Sequence, residues 1–130
     1  TEPQSHYANV SPDGKSIAFI FWDRGNSPTT LSLVPITGGT PSRNFNIPPE
    51  DFSWQQQFRW TADSRALIYV DSTSGYSNLI RLPLDNGKRT PITDFKSERI
   101  FGFDISRDGR QMVFVRGTTT SDAVMINNIR

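Results

Sequence analysis

Apolar and polar positions alternate briefly along this chain, give way to a tight polar turn, and then resume as an unbroken apolar run. The pattern is clearest over residues 58–70, FRWTADSRALIYV, where it predicts two short antiparallel strands joined across 61–65. It recurs at 7–22, YANVSPDGKSIAFIFW, and at 103–115, FDISRDGRQMVFV. The run over 17–22 contains no polar position, whereas a strand wetted on one face alternates; both of its faces are therefore expected to be covered. No stretch has convincing helical spacing, so the chain is read as all-β.

The turns set the larger period. Asp13, Asp63 and Asp108 hold the same turn position and lie 50 and 45 residues apart, near the roughly 40 to 50 residues of a four-stranded propeller blade. In the first turn Pro12 presets the φ of the second turn position, Asp13 can accept hydrogen bonds from nearby amides, and Gly14 tolerates positive φ. The first unit is expected to run through strands at 6–10, 17–22, 29–36 and 40–47. Thr37, Gly38 and Gly39 turn its last pair, and Pro41 and Pro48 are tolerable only at the margins of an outer, edge strand. The second unit repeats the order at 58–61, 66–70, 77–84 and 88–93, with Asp85, Asn86 and Gly87 at its last turn. The third has strands at 101–105, 111–115 and 121–127 and no outer one. The expectation is a single partial β-propeller domain over 1–130, with three blades at about 6–47, 58–93 and 101–130.

A closed ring takes roughly four to eight blades, and three leave both ends of the stack uncovered. Either the chain is a piece of a longer protein with further blades, which its first residue, Thr1, also suggests, or two copies associate. In the second case three blades from each complete a six-bladed ring, because an uncovered apolar face is a sticky patch.

Composition narrows the function classes. The chain carries 14 Lys plus Arg against 13 Asp plus Glu, so no global field favours nucleic acid or an acidic membrane, and no nucleic-acid partner is expected. There is no cysteine, which excludes disulfides, thiolate metal sites and cysteine nucleophiles together and suits cytosol and periplasm equally. The longest apolar run, six residues, is far short of the roughly 18 of a membrane span, and the polar start Thr1-Glu2-Pro3 does not read as a signal peptide.

Candidate chemistry is sparse. A serine nucleophile needs a base, and the only histidine is His6. Gly75-Tyr76-Ser77-Asn78-Leu79 begins like a nucleophile elbow but lacks the closing glycine and the strand-to-helix context, so Ser77 is read as a strand-starting hydroxyl. One carboxylate per blade at Asp13, Asp63 and Asp108 is what turn geometry predicts, not a shared acid site. The alternating carboxylates of a calcium loop do not occur, and Gly38-Gly39 lies between strands, not ahead of a phosphate-binding helix. No catalytic residue, metal or cofactor is expected, and the chain is read as non-enzymatic.

Phe19, Phe21, Phe58, Trp60, Tyr69, Phe101, Phe103 and Phe114 fall in inner or second strands and are expected in the core between blades. Phe52, Trp54 and Tyr76 fall in predicted loops. Loops between second and third strands share one rim with the links between blades. This rim is expected to gather Arg24, Trp54, Tyr76, Lys96, Arg99 and Arg116, an aromatic and basic set suited to a protein, peptide or acidic ligand.

The segments SPDGKSIAF (11–19), TADSRALIYV (61–70) and SRDGRQMVFV (106–115) resemble the repeat of TolB-like propellers, relatives of the WD repeat common in bacteria. The resemblance covers nearly the whole chain; the middle unit departs from it, with Ala62 and Ser64 replacing proline and glycine. More narrowly, 77–101 followed by 114–130 resemble the C-terminal end of propellers attached to bacterial serine/threonine kinases and winged-helix transcriptional regulators. The resemblance implies a sensor or docking module of a bacterial signalling protein, its effector domain lying outside these residues. The other reading is a propeller that gates a serine peptidase, again with the catalytic domain elsewhere.

Overall fold

A computed structural model describes residues 4–22, 29–47 and 58–120. Every regular element among them is a strand: β1 (Gln4–Val10), β2 (Ser16–Trp22), β3 (Thr29–Pro35), β4 (Arg43–Ile47), β5 (Arg59–Trp60), β6 (Ala66–Asp71), β7 (Asn78–Pro83), β8 (Thr90–Pro91), β9 (Arg99–Ile105) and β10 (Met112–Gly117). They form three antiparallel sheets in the orders β1-β2-β3-β4, β5-β6-β7-β8 and β9-β10. The third strand expected at 121–127 and the connection at 48–56 lie outside the described residues.

The three sheets stack face to face, and the reason is written in the second strands. Counted from the turn aspartates, Ala18, Ile68 and Val113 are equivalent, as are Ile20, Val70 and Val115; these point forward, toward the following sheet. Ile17, Leu67 and Met112, with Phe19, Tyr69 and Phe114, occupy the alternate positions and point to the rear. At the first junction Ala18, Ile20, Leu31 and Leu33 meet Phe58, Trp60, Leu67, Tyr69 and Leu82. At the second, Ile68, Val70 and Leu79 meet Ile100 and Phe103, flanked by Phe95, Ile105, Met112 and Phe114. β6 is therefore buried on both faces over five consecutive residues, Ala66 to Val70, which is why its sequence does not alternate. Truncating one of these side chains, as in Leu79→Ala, costs about 2–5 kcal/mol.

Polar contacts fix how each sheet is set on the next. The Trp60 indole donates to Asn9 O at 3.1 Å across the first junction. Arg43 donates to Leu84 O and, at 2.8 Å, to Asp85 O, while Arg89 reaches Asn46 O. Across the second junction Arg59 pairs with Asp104 at 3.1 Å.

The three turns are superimposable in chemistry. In the first, Ser11 Oγ donates to Asp13 Oδ1 at 2.6 Å, Lys15 N donates to the same oxygen at 3.1 Å, and Ser16 N donates to Ser11 Oγ at 3.0 Å. Thr61, Asp63, Arg65 and Ala66 repeat this set, as do Ser106, Asp108, Arg110 and Gln111. The substitution in the middle unit leaves the turn unchanged: Ser64 adopts φ +60°, beside +70° at Gly14 and +71° at Gly109.

Three expectations need correction. The outer strands are shorter than 40–47 and 88–93, because prolines remove ladder donors: pairing of β4 with β3 begins at Arg43, beyond Pro41, and β8 is the pair Thr90–Pro91. Past Pro91 one backbone bond remains, from Ile92 N to Leu79 O at 2.7 Å, and then a side chain takes over, with Leu79 N donating to Thr93 Oγ1 at 2.9 Å. Phe101 is not core but 41% exposed, since the β9–β10 register pairs Val115 with Gly102 and Arg116 with Ile100, leaving Phe101 as the unpaired residue of a bulge. Arg116, expected in a loop, belongs to strand β10.

Candidate functional site

Two segments build one rim of the stack: the β6–β7 loop, residues 72–77, and the link from the second sheet to the third, residues 92–98. Asp71 shapes the loop start, accepting from Thr73 N at 2.9 Å and Thr73 Oγ1 at 2.7 Å. Gly75 then takes φ +82°, its amide donating to Ser72 O at 3.2 Å. Ser77 is buried, its hydroxyl 2.9 Å from Ser72 Oγ and its amide donating to Glu98 O at 2.9 Å, so it ties loop to link. Asn78 does so again: its Oδ1 accepts from Phe95 N at 2.7 Å and Thr93 Oγ1 at 2.9 Å, while its Nδ2 donates to Phe95 O at 3.1 Å.

Four of the six rim residues expected from the sequence lie on this rim: Tyr76 in the loop, Lys96 in the link, Arg99 at the start of β9 and Arg116 in β10. Arg24 and Trp54 lie outside the described residues. The four differ in how far their charge or ring is available. Arg116 pairs opposite Ile100, and the pleat turns it onto the link. Its guanidinium lies 3.6 Å from the Phe95 ring centroid, donates to Ser97 O at 3.0 Å and meets Glu98 Oε2 at 3.2 Å. Its Nε is buried without a hydrogen-bond partner among the described residues. The Phe95 ring itself rests 5.7 Å from Phe114. Arg116 thus holds the link in place, with much of its charge met by Glu98.

Lys96 bonds Asp94 Oδ1, and that bond, aided by the nearby Tyr76, holds its ammonium above the usual lysine range. Arg99, opposite Gly117, is exposed and has no hydrogen-bond or ion-pair partner among the described residues. It lines a shallow depression with Gly75, Glu98, Gly117, Thr118 and Thr119. Chemically, the depression offers one solvent-facing guanidinium, a carboxylate and two hydroxyls, with Tyr76 and Lys96 nearby on the same rim. Sequence reasoning missed Asn78 as the clip and Phe95 as the ring beneath Arg116, since both relationships span 15 residues or more. The Asp94-x-Lys96 spacing was the one local signal.

Two four-stranded antiparallel sheets and a two-stranded one, stacked with this repeat, make the described residues part of a β-propeller. Comparisons with known proteins agree at that level. No family model matches the chain. A curated relative, dipeptidyl-peptidase 5 of Porphyromonas gingivalis, is 26% identical over 87 residues, covering 67% of this chain and 13% of that protein. The crystal structure of TolB from Acinetobacter baumannii superposes with a TM-score of 0.63 at 23% identity, over 88% of this chain and 27% of that one. The β-propeller domain of the Trilobed protease from Pyrococcus furiosus does so with a TM-score of 0.62 at 12% identity, over 88% and 34%. The chain therefore spans no more than about a third of any of these proteins, and likeness at such identities establishes the fold alone.

Proposed function

We propose that the chain is a non-enzymatic recognition module, the sensor or docking part of a bacterial signalling or regulatory protein, which takes an acidic protein or peptide segment on the 72–77 and 92–98 rim. One observation carries this reading: Arg99 stands without a partner among the described residues, in a depression with two hydroxyls, on a rim where the described Lys96 and Arg116 are already paired. The TolB likeness and the resemblance of 77–101 and 114–130 to propellers of kinases and winged-helix regulators support the signalling context. Fluorescence anisotropy with labelled hexaglutamate and a neutral Gly-Ser hexapeptide tests it. Hexaglutamate should bind, with affinity falling as salt screens the contact and dropping about tenfold in Arg99→Ala. Equal binding of both peptides, or of neither, would remove the rim from consideration.

A second reading, a propeller that filters peptides for an attached serine peptidase, is favoured by the dipeptidyl-peptidase relative. The coding sequence downstream of Arg130 distinguishes the two, since a hydrolase domain with its own nucleophile elbow would follow there.

A further inference from the structure

We propose that Asn86 is a self-modification site: the backbone nitrogen of Gly87 attacks its side-chain amide, and the isoaspartate that results loosens the outer edge of the first junction. Asn86 is the only asparagine in the chain followed by glycine, and it is exposed at the turn between β7 and β8. That turn already has the shape ring closure needs. Asn86 Oδ1 accepts from Lys88 N at 2.8 Å, so the side chain folds over the intervening peptide and carries Cγ toward Gly87 N. The same donor polarises the carbonyl and meets the oxyanion as it forms. Gly87, at φ +66°, has no side chain to shield its nitrogen.

Water is the one co-reactant. Gly87 N donates to Pro83 O at 3.0 Å, and this bond opens first. The nitrogen gives up its proton and bonds to Cγ; the Cγ–Nδ2 bond breaks, and Nδ2 takes up a proton and leaves as ammonia. Water then opens the cyclic imide at either carbonyl. One product is aspartate; the other is isoaspartate, whose main chain runs through Cβ and Cγ.

Two other turns of the chain show why this one reacts. Asp13-Gly14 and Asp108-Gly109 have the same arrangement, with the aspartate Oδ1 accepting from Lys15 N or Arg110 N at 3.1 Å and the glycine at φ +70° or +71°. Their carboxyls are kept ionised by the Ser11 and Ser106 hydroxyls, and a carboxylate is a poor electrophile. Of the three, Asn86 alone offers a neutral carbonyl with ammonia as its leaving group.

The site lies where one extra backbone atom is felt. A Cβ built on Gly87 would lie 3.3 Å from the Phe45 ring, and Phe45 packs against the core of the first junction. Just upstream, Leu84 N donates to Arg65 O at 3.0 Å, while Arg43 donates to Leu84 O and Asp85 O. With both flanks held, the added atom drives Gly87 off Pro83 or into Phe45, and strand β4 loosens.

Ageing the native chain in mildly alkaline buffer beside the urea-unfolded chain, with mass-spectrometric mapping of tryptic peptide 82–88, tests this. Isoaspartate should accumulate at position 86 in the native chain and stay below detection at 13 and 108. Amide exchange at 43–47 should rise in step with the isoaspartate fraction. Aged Asn86→Ser, whose hydroxyl can still accept from Lys88 N but has no carbonyl to attack, should keep the exchange of fresh wild type. Fresh Asn86→Asp, which adds the charge without the extra atom, should do the same. Isoaspartate at 86 in the unfolded chain only, equal accumulation at 13 or 108, or loosening of 43–47 that is absent from the modified protein or shared by either variant would overturn the proposal.

Discussion

Ser64 accepts a hydrogen bond from the backbone amide of Asp13, 51 residues earlier, at 3.1 Å, while itself holding a φ of +60°. The left-handed conformation costs a non-glycine residue roughly 1–2 kcal/mol, and a single hydrogen bond returns about 1 kcal/mol. Serine is thus a near-balanced exchange of strain against a contact between sheets. Ser64→Gly should relieve the strain, lose the bond and leave stability within about 0.5 kcal/mol of wild type. Ser64→Ala keeps the strain and loses the bond, and should cost about 1 kcal/mol or more. Urea denaturation of the two variants checks the order; alanine as stable as glycine would mean that the backbone at this turn carries no strain.

Arg116 stacks on Phe95 and bonds both Ser97 O and Glu98. Lysine has neither the flat face for stacking nor the fork for two acceptors. Arg116→Lys should therefore destabilise by about 1 kcal/mol and raise amide exchange at 95–98 more than elsewhere. Unchanged exchange there would show that Arg116 does not hold the link.

The strands and their turns were legible because they depend on local pattern: the unbroken run at Ala66 to Val70 reports two covered faces, and the Ser/Thr-x-Asp turns repeat within five residues. What the sequence did not disclose depends on register. Whether Arg116 faces solvent or Phe95 is decided by the bulge at Phe101, which shifts the pairing between Val115 and Arg116. Likewise the Arg59–Asp104 pair joins two sheets across 45 residues. Loop order alone puts Tyr76 and Lys96 on one rim, but Arg99 and Arg116 lie in strands, and the distinction between the neutralised Arg116 and the exposed Arg99 needed the register and the side chain of Glu98 in position.

Asn78 replaces ladder bonds that Pro91 and the end of β8 cannot supply, with three hydrogen bonds to Thr93 and Phe95. Alanine there leaves the Phe95 amide and carbonyl to find other partners, and Asn78→Ala should cost about 2–3 kcal/mol. Aspartate keeps the acceptor oxygen for Phe95 N and Thr93 but loses the amide donor, so Asn78→Asp should fall between alanine and wild type. A thermal-melt series of the three proteins tests this; identical melting of the alanine variant and wild type would show that the link is held elsewhere.

The turn aspartates give the chain its acid response. Asp13 is held below the ordinary 3.8 by the Ser11 hydroxyl and then the Lys15 amide, Asp63 by Thr61 and Arg65, and Asp108 by Ser106 and Arg110. A carboxyl whose folded value is depressed stabilises the fold fully above its unfolded value, and that stabilisation is lost as pH falls through the folded value. The urea midpoint should therefore be nearly constant from pH 7 to about 5 and decline below about pH 4 as these groups take up protons. Asparagine at all three positions keeps an acceptor oxygen but does not titrate in this range. The triple variant Asp13→Asn, Asp63→Asn, Asp108→Asn should be less stable at neutral pH yet lose less on acidification, so that the two curves converge as the wild-type aspartates take up their protons. Parallel curves over the whole range would assign the acid sensitivity to other carboxylates, with Asp104, held down by the Ile105 amide and Arg59, the next to replace.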